Sequence, residues 1–240
     1  MTTSPISLNG GSSTSDSLQQ NLGEITSAIA DACARVGRDP HEVTLVAVSK
    51  TVGLDAVASA IVAGIHDFGE NRTAAFNEKH AAFPQERWHF IGSIQTNKVK
   101  EFVGKAHLVH SVASERALNS IATRAQGLGI TQDVLVEVNV SGEASKDGVA
   151  PGGLEPLLER AAGLEGIRVC GLMTMAPQDD ATAARTAFRG LFTLQERLRP
   201  HFMGSEHVHL SELSMGMSQD HVIAVEEGAT IIRIGRSIWT

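Results

Sequence analysis

The segment VTLVAVSKTVGLDAVASAIVAGIHDFGE (residues 43–70) carries the fold in miniature. Its first seven residues form a nearly unbroken apolar run between Asp39-Pro40 and Lys50, the pattern of a strand buried on both faces. Leu54, Val57, Ala58, Ile61, Val62 and Ile65 then recur at helical spacing, and HDFGE (66–70) returns to a short strand. Strand, amphipathic helix and strand make a unit whose two strands pair in parallel.

Working outward, the alternation continues to the last residues. A helix over 73–82 precedes WHFIG (88–92), and one over 96–103 precedes HLVHSV (107–112). Ala117, Leu118, Ile121, Ala122 and Ala125 mark a helix before DVLVEVNV (133–140). Helices over 153–163, 180–198 and 218–227 lead to IRVCGLMTM (167–175), HVHLSEL (207–213) and TIIRIG (230–235). Eight strands separated by helices predict one α/β domain, a closed (β/α)8 barrel of the TIM type. An open doubly wound sheet is the alternative, but no GxGxxG turn follows the first strand. Upstream, Leu18, Leu22, Ile25, Ile29, Cys33 and Val36 predict an extra N-terminal helix, capped by Ser17 and stopped by Gly37. That helix is expected to cover one barrel end. Residues 1–16 are rich in Ser, Thr and Gly and are expected to form a disordered tail, leaving 17–240 as the barrel.

The 240 residues are 42% hydrophobic and 20% charged, enough apolar material for one sizeable core. Acidic residues outnumber basic ones 27 to 20, which argues against nucleic acid or an anionic membrane as partner. No run reaches the roughly 20 apolar residues of a membrane span, and the first residues lack the pattern of a secretory signal. Two distant cysteines, Cys33 and Cys170, match neither disulfide nor metal spacing, so a reduced, cytoplasmic protein is expected. No large exposed apolar run is identified, and a monomer is expected. Tyrosine is absent.

In such a barrel the chemistry gathers at the C-terminal strand ends, with phosphates bound after strands seven and eight. Strand one ends in Ser49-Lys50-Thr51. A lysine there is expected to sit over the mouth between low-dielectric walls, which disfavour the ammonium and free the amine as a nucleophile. Strand seven ends in LSMGMSQD, where Ser211, Ser214, Gly216 and Ser218 offer hydroxyls and open amides at a helix start. Strand eight ends in Arg233-Ile234-Gly235-Arg236-Ser237, whose glycine lets the backbone approach an anion. An amine opposite a phosphate cradle suits a ligand bearing both an aldehyde and a phosphate. Pyridoxal 5′-phosphate is such a molecule.

Seven blocks, VAVSKT (46–51), FGENR (68–72), WHFIGSIQTNKVK (88–100), VNVSGEASKDGV (138–149), GLMTMAP (171–177), LSMGMSQD (213–220) and IRIGRSIW (232–239), together resemble the pyridoxal phosphate homeostasis proteins, the YggS/PROSC family. The resemblance spans residues 18–239 in order. It implies the barrel of the alanine racemase N-terminal domain without that enzyme's second domain. It also implies a carrier or buffer that holds pyridoxal 5′-phosphate as an aldimine on Lys50, with no defined catalytic reaction. Apo-enzymes and free amino acids are the implied further partners. By the same resemblance Asn71 lies beside the ring, Ser214, Met215 and the backbone of Gly235 and Arg236 hold the phosphate, Arg233 faces the pyridine nitrogen, and His89 approaches from strand three. The sequence departs in having Arg236 where a Thr or Ser is expected, and in ending Ile238-Trp239-Thr240 where the family continues Phe-Gly.

Other features read more plainly. His207 and His209 alternate as metal ligands would, but no carboxylate accompanies them, and His107 and His110 read as strand-edge residues. Met173, Met175, Met215 and Met217, like Cys170, suit core filling. Lys98, Lys100 and Lys105 read as a solvated face, and Lys146 as an exposed loop lysine. Two enzymes compete with the carrier. A racemase or decarboxylase needs an electron-poor ring, which an arginine at the pyridine nitrogen opposes, and racemisation also needs a second base that alanine racemase draws from a tyrosine missing here. A cofactor-free aldolase commonly carries its lysine on strand six, and strand six here has none.

Overall fold

The structure is a computed structural model that describes residues 12–143 and 147–240, with side chains from Asp16 onward. Eight parallel strands close into a barrel in chain order: β1 (Thr44–Val48), β2 (Asp67–Glu70), β3 (Arg87–Phe90), β4 (Leu108–Val112), β5 (Gln132–Glu137), β6 (Ile167–Met173), β7 (Val208–Ser214) and β8 (Ile231–Ile234). Helix α1 (Ser12–Val36) precedes β1. Helices α2 (Leu54–Val62), α3 (Thr73–Ala82), α4 (Val99–Phe102), α5 (Glu115–Leu128), α6 (Pro151–Ala162), α7 (Ala181–Leu198) and α8 (His221–Glu226) connect successive strands, and α9 (Arg236–Trp239) follows β8. No described helix is long and apolar enough to cross a membrane.

The two-residue period of each strand sorts its side chains. One set packs outward against the helices in the main core. Val46, Leu108, Leu135, Met173 and Ile231 form a second apolar cluster inside the barrel. Other residues in step with them are polar: His110 with Leu108, Glu137 with Leu135, and Arg233 with Ile231. The barrel interior is therefore apolar in one part and charged in another.

Three expectations change. Helix α1 begins at Ser12, five residues before the expected Ser17 cap; the tail predicted over 1–16 otherwise lies outside the described residues, as does Lys146. α1 does not cap a barrel end. It packs against α8 and α9, where Arg35 Nε meets Glu226 at 2.7 Å, Arg38 donates to the Val225 and Ala229 carbonyls at 2.9 and 3.0 Å, and Asn21 donates to the Ile238 carbonyl at 3.2 Å. On its other side it borders Ala63, just past α2. A four-residue α9 is too short to cover the outside of β8, and α1 fills that place in the helical ring.

The third change concerns β7. Against β6 its pairing passes from Val169–Val208 to Gly171–Glu212, so β7 carries two extra residues in a bulge with Leu210 at φ 47°. Gly171 makes this possible, since a Cβ there would stand 1.9 Å from the Glu212 carbonyl oxygen. The bulge turns His209 and Ser211 out to solvent. His207 precedes the strand, so the two histidines share no strand face, and no group of metal-ligating residues forms among the described residues.

Candidate functional site

Lys50 lies two residues past the end of β1, at the C-terminal mouth, and it is exposed. The low-dielectric walls expected around its amine are absent. The buried lysine at this mouth is Lys79 on α3, only 4% accessible. Its Nζ donates to the Ser49 carbonyl at 2.6 Å and contacts Glu70 Oε1. Ser49 Oγ also donates to Glu70 Oε1 at 3.2 Å, and Glu70 Oε2 accepts from the Asn71 amide at 3.2 Å. This clamp ties the ends of β1 and β2 together directly under Lys50 and Asn71. Asn71 is itself exposed, and its backbone passes so near Gly92 that a Cβ there would lie 2.0 Å from the Asn71 carbonyl oxygen.

Next to β1 around the closed barrel, β8 and then β7 present their own ends. Gly216 has φ 95°, and a Cβ there would be 2.5 Å from that of Ala224, so only glycine fits. Among the described residues the amides of Gly216 and Gly235 donate to no protein acceptor. The Met215 amide does, to the Ile231 carbonyl at 3.1 Å, and its side chain is in the main core; this residue cannot supply the expected anion contact. The Ser214 hydroxyl is likewise spent, because it accepts from Arg233 Nη1 at 2.5 Å and lies 2.9 Å from His110 Nδ1. Ser211 sits in the bulge and donates to the Cys170 carbonyl. Helix α8 starts at His221 rather than Ser218, and Asp220 accepts from the Met217 amide at 2.6 Å. The Ser211 and Ser214 hydroxyls are thus engaged elsewhere, while the Gly216 and Gly235 amides stay free among the described residues.

Arg236 is exposed at the start of α9. Trp239 Nε1 donates to the Val48 carbonyl at 2.8 Å, which holds α9 and the Gly235–Arg236 backbone over the end of β1. Since β8 pairs with β1 (Val46–Arg233, Ala47–Ile234), these amides and Lys50 lie at adjacent strand ends. Arg233 is 5% accessible, and burial lowers its guanidinium to about 10 despite the nearby charges of Glu137 and Asp220; it remains a cation at neutral pH. Its Nη2 donates to the Thr174 carbonyl at 3.2 Å.

Two further groups face the interior. Glu137, at the end of β5, is buried, and desolvation together with Asp147 raises its carboxyl to about 7. His89 does not reach the mouth as expected. It lies deeper, between Asp67 at the start of β2 and His110 on β4, and is linked to the site through His110 and Ser214. His110, read as a strand-edge residue, is fully buried.

Residues 21–240 match the family described as alanine racemase, N-terminal domain. A pyridoxal phosphate homeostasis protein of Aquifex aeolicus is 41% identical over 92% of this chain and 96% of its own length. The protein of that name from Escherichia coli K12 is 32% identical over 92% and 95%. The chain belongs to the pyridoxal phosphate homeostasis protein family. Among solved structures, PipY of Synechococcus elongatus PCC7942 with PLP bound superposes with a TM-score of 0.80 at 29% identity, over 93% of this chain and all of that one. An alanine racemase of Clostridium difficile 630 shares the fold at a TM-score of 0.74 and 15% identity, over 93% of this chain and 59% of that one.

Members of the homeostasis family are therefore the right frame for Lys50, Asn71, Arg233, Gly235 and Arg236, which this fold gathers at one mouth. Lys79, Glu137, Asp67 and His110 were not singled out as site residues. Only Glu137 left a usable signal, a carboxylate two residues past Leu135 on the inward face of the clearest strand.

Proposed function

We propose that this protein binds pyridoxal 5′-phosphate at the barrel mouth and serves as an intracellular carrier or buffer of it, not as an enzyme with a defined reaction. The observation that carries the reading is the exposed Lys50 amine beside the free Gly216 and Gly235 amides, with a buried, protonated Arg233 below them. These residues fit the group. The amine suits an aldehyde, the amides suit a phosphate, and the guanidinium suits a pyridine nitrogen. The names of the relatives and the PLP-bound PipY support the same reading.

When bound, the cofactor supplies an electrophilic carbon for amines and a ring that can accept electrons. Lys50 Nζ would hold that carbon. Its exposure leaves room for a free amine to compete for the same carbon, as release requires. Arg233 keeps its own proton at neutral pH, so it would offer a ring nitrogen a hydrogen-bond donor and not an acid, and would not help the ring accept electrons. No tyrosine exists to act as a second base. Apo-enzymes in the cytoplasm would receive the cofactor from a monomeric carrier.

Borohydride reduction of the cofactor-loaded protein followed by peptide mapping should place the adduct on Lys50. An adduct on Lys79, Lys98 or Lys146 overturns the assignment. Incubation of the loaded protein with alanine, serine or glutamate in D2O tests the carrier role. We expect no multiple-turnover exchange at the α-carbon beyond that of free pyridoxal phosphate. Exchange well above that level and abolished by Lys50→Ala would make the protein an enzyme.

A further inference from the structure

A single file of buried polar groups runs through the barrel from its N-terminal face to the mouth. Asp67 Oδ1 lies 3.1 Å from His89 Nε2, His89 Nδ1 lies 2.9 Å from His110 Nε2, and His110 Nδ1 lies 2.9 Å from Ser214 Oγ. Ser214 Oγ then accepts from Arg233 Nη1 at 2.5 Å. Arg87, half-exposed, pairs with Asp67 at the outer end.

The two ends dictate every proton between them. Arginine has no acceptor, so Ser214 must accept from Arg233 and turn its own hydrogen to His110 Nδ1. His110 therefore carries its proton on Nε2 and donates to His89 Nδ1. His89 in turn carries its proton on Nε2 and donates to Asp67. The carboxylate end requires the same direction, because Asp67 is held ionised at about 2 against its own burial by hydrogen bonds from His89 and Arg87. An added proton on either ring would set two donors face to face or strand the Ser214 hydrogen. Burial above all pushes both imidazoles below their ordinary value, His110 well below; His107 and Arg87 add to this at His89 against the pull of Asp67, and His89, Arg233 and His107 add to it at His110.

We propose that Asp67, His89, His110 and Ser214 form a proton-ordered positioning chain that holds the Arg233 guanidinium in place and so fixes the donor met by the ring nitrogen of a bound pyridine cofactor. This assignment of roles rests on the function proposed above, although the chain itself exists without ligand. Each link polarises the next, and the fully satisfied file gives a buried arginine one orientation. A guanidinium held this way needs no reorganisation when the ligand arrives.

Long-range proton–nitrogen correlation spectra of the 15N-histidine protein, free of cofactor, test the chain at neutral pH. Of the ten histidines, His89 and His110 should both be neutral Nε2–H tautomers. An Nδ1–H tautomer or an imidazolium at either position overturns the proposal. Two variants then test its effect on the site. His110→Gln keeps an acceptor for Ser214 and a donor for His89, whereas His110→Phe keeps neither. After loading with pyridoxal 5′-phosphate, His110→Phe should shift the visible absorption band and speed cofactor release about tenfold, the effect of one misdirected charge-assisted hydrogen bond. His110→Gln should restore both. Indistinguishable behaviour of the two variants, whether like wild type or alike impaired, overturns the positioning role. Failure of the wild-type protein to take up the cofactor would instead overturn the functional reading, while the tautomer spectra would still decide whether the chain is ordered as argued.

Discussion

Lys79 and Arg233 are both cations buried beneath the mouth of the same barrel, and their surroundings differ. Lys79 meets a carboxylate directly, Glu70, and a backbone carbonyl, that of Ser49. Arg233 has no carboxylate within ion-pair distance among the described residues, and it rests on a hydroxyl and a carbonyl. The first arrangement cancels charge locally and joins two strand ends. The second leaves a positive field in a low-dielectric site, directed at whatever enters. Burial alone therefore does not tell a structural cation from a ligand-directed one; the acceptors around it do.

The contrast breaks most visibly at Lys79. Lys79→Met should destabilise the protein by about 3–5 kcal/mol, the cost of leaving a buried carboxylate unpaired. The double variant Lys79→Met with Glu70→Gln should recover much of that loss, because no orphaned charge remains. Denaturant titrations of the two variants give the comparison. If the single variant lost less than about 1 kcal/mol, Lys79 would be no more than a surface-type pair.

Glu137 sharpens the other half. Its carboxyl is raised to about 7 in the folded protein by burial first and Asp147 second, with Arg233 opposing. The folded state thus binds a proton that the unfolded state has released. That contribution is fully present below the ordinary glutamate value and is lost as pH rises through about 7. Glu137→Gln should match wild type near pH 4 and exceed its stability near pH 8 by about 2–3 kcal/mol. A variant that is less stable at pH 8 would identify Glu137 as the counter-ion of Arg233 and erase the difference between the two cations.

Much of this was legible before any coordinates. The strand–helix alternation from residue 43 onward carries the barrel, because burial on both faces and helical periodicity are local properties of the chain. The gathering of Lys50, Asn71, Arg233, Gly235 and Arg236 followed from the strand-end rule and the resemblance together. What escaped were relations between elements. Helical spacing gives α1 a buried face but not the neighbour that covers it. The β7 bulge depends on how closely Gly171 can approach Glu212, which no strand pattern reports. Lys79 lies on α3, and the Glu70 that pairs with it is on another element, β2, so no local pattern joins the two. Ser214 has the right position for a phosphate contact, yet its hydroxyl belongs to Arg233 and His110.

Arg236 gives the smallest effect and tests whether the mouth holds a third cation of consequence. It is exposed, whereas the backbone beside it is fixed independently through Trp239 and Val48. Removing its side chain should leave the free amides where they are. Arg236→Ala should weaken pyridoxal 5′-phosphate binding by no more than about 1–2 kcal/mol, the range of one charge-assisted contact in solvent. An exposed charge acts through water, so the difference between variant and wild type should shrink as salt rises toward about 1 M, where the screening length is about 3 Å. The contribution of Arg233, shielded from ions, should persist under the same conditions. Titration of both proteins with the cofactor at low and high salt measures the two behaviours side by side. A loss well above 2 kcal/mol that survives high salt would mean that the Arg236 guanidinium closes onto the phosphate and excludes water when the ligand binds. The anion would then be held by a side chain as much as by the backbone, and Arg236 would stand with Arg233 as a cation reserved for ligand.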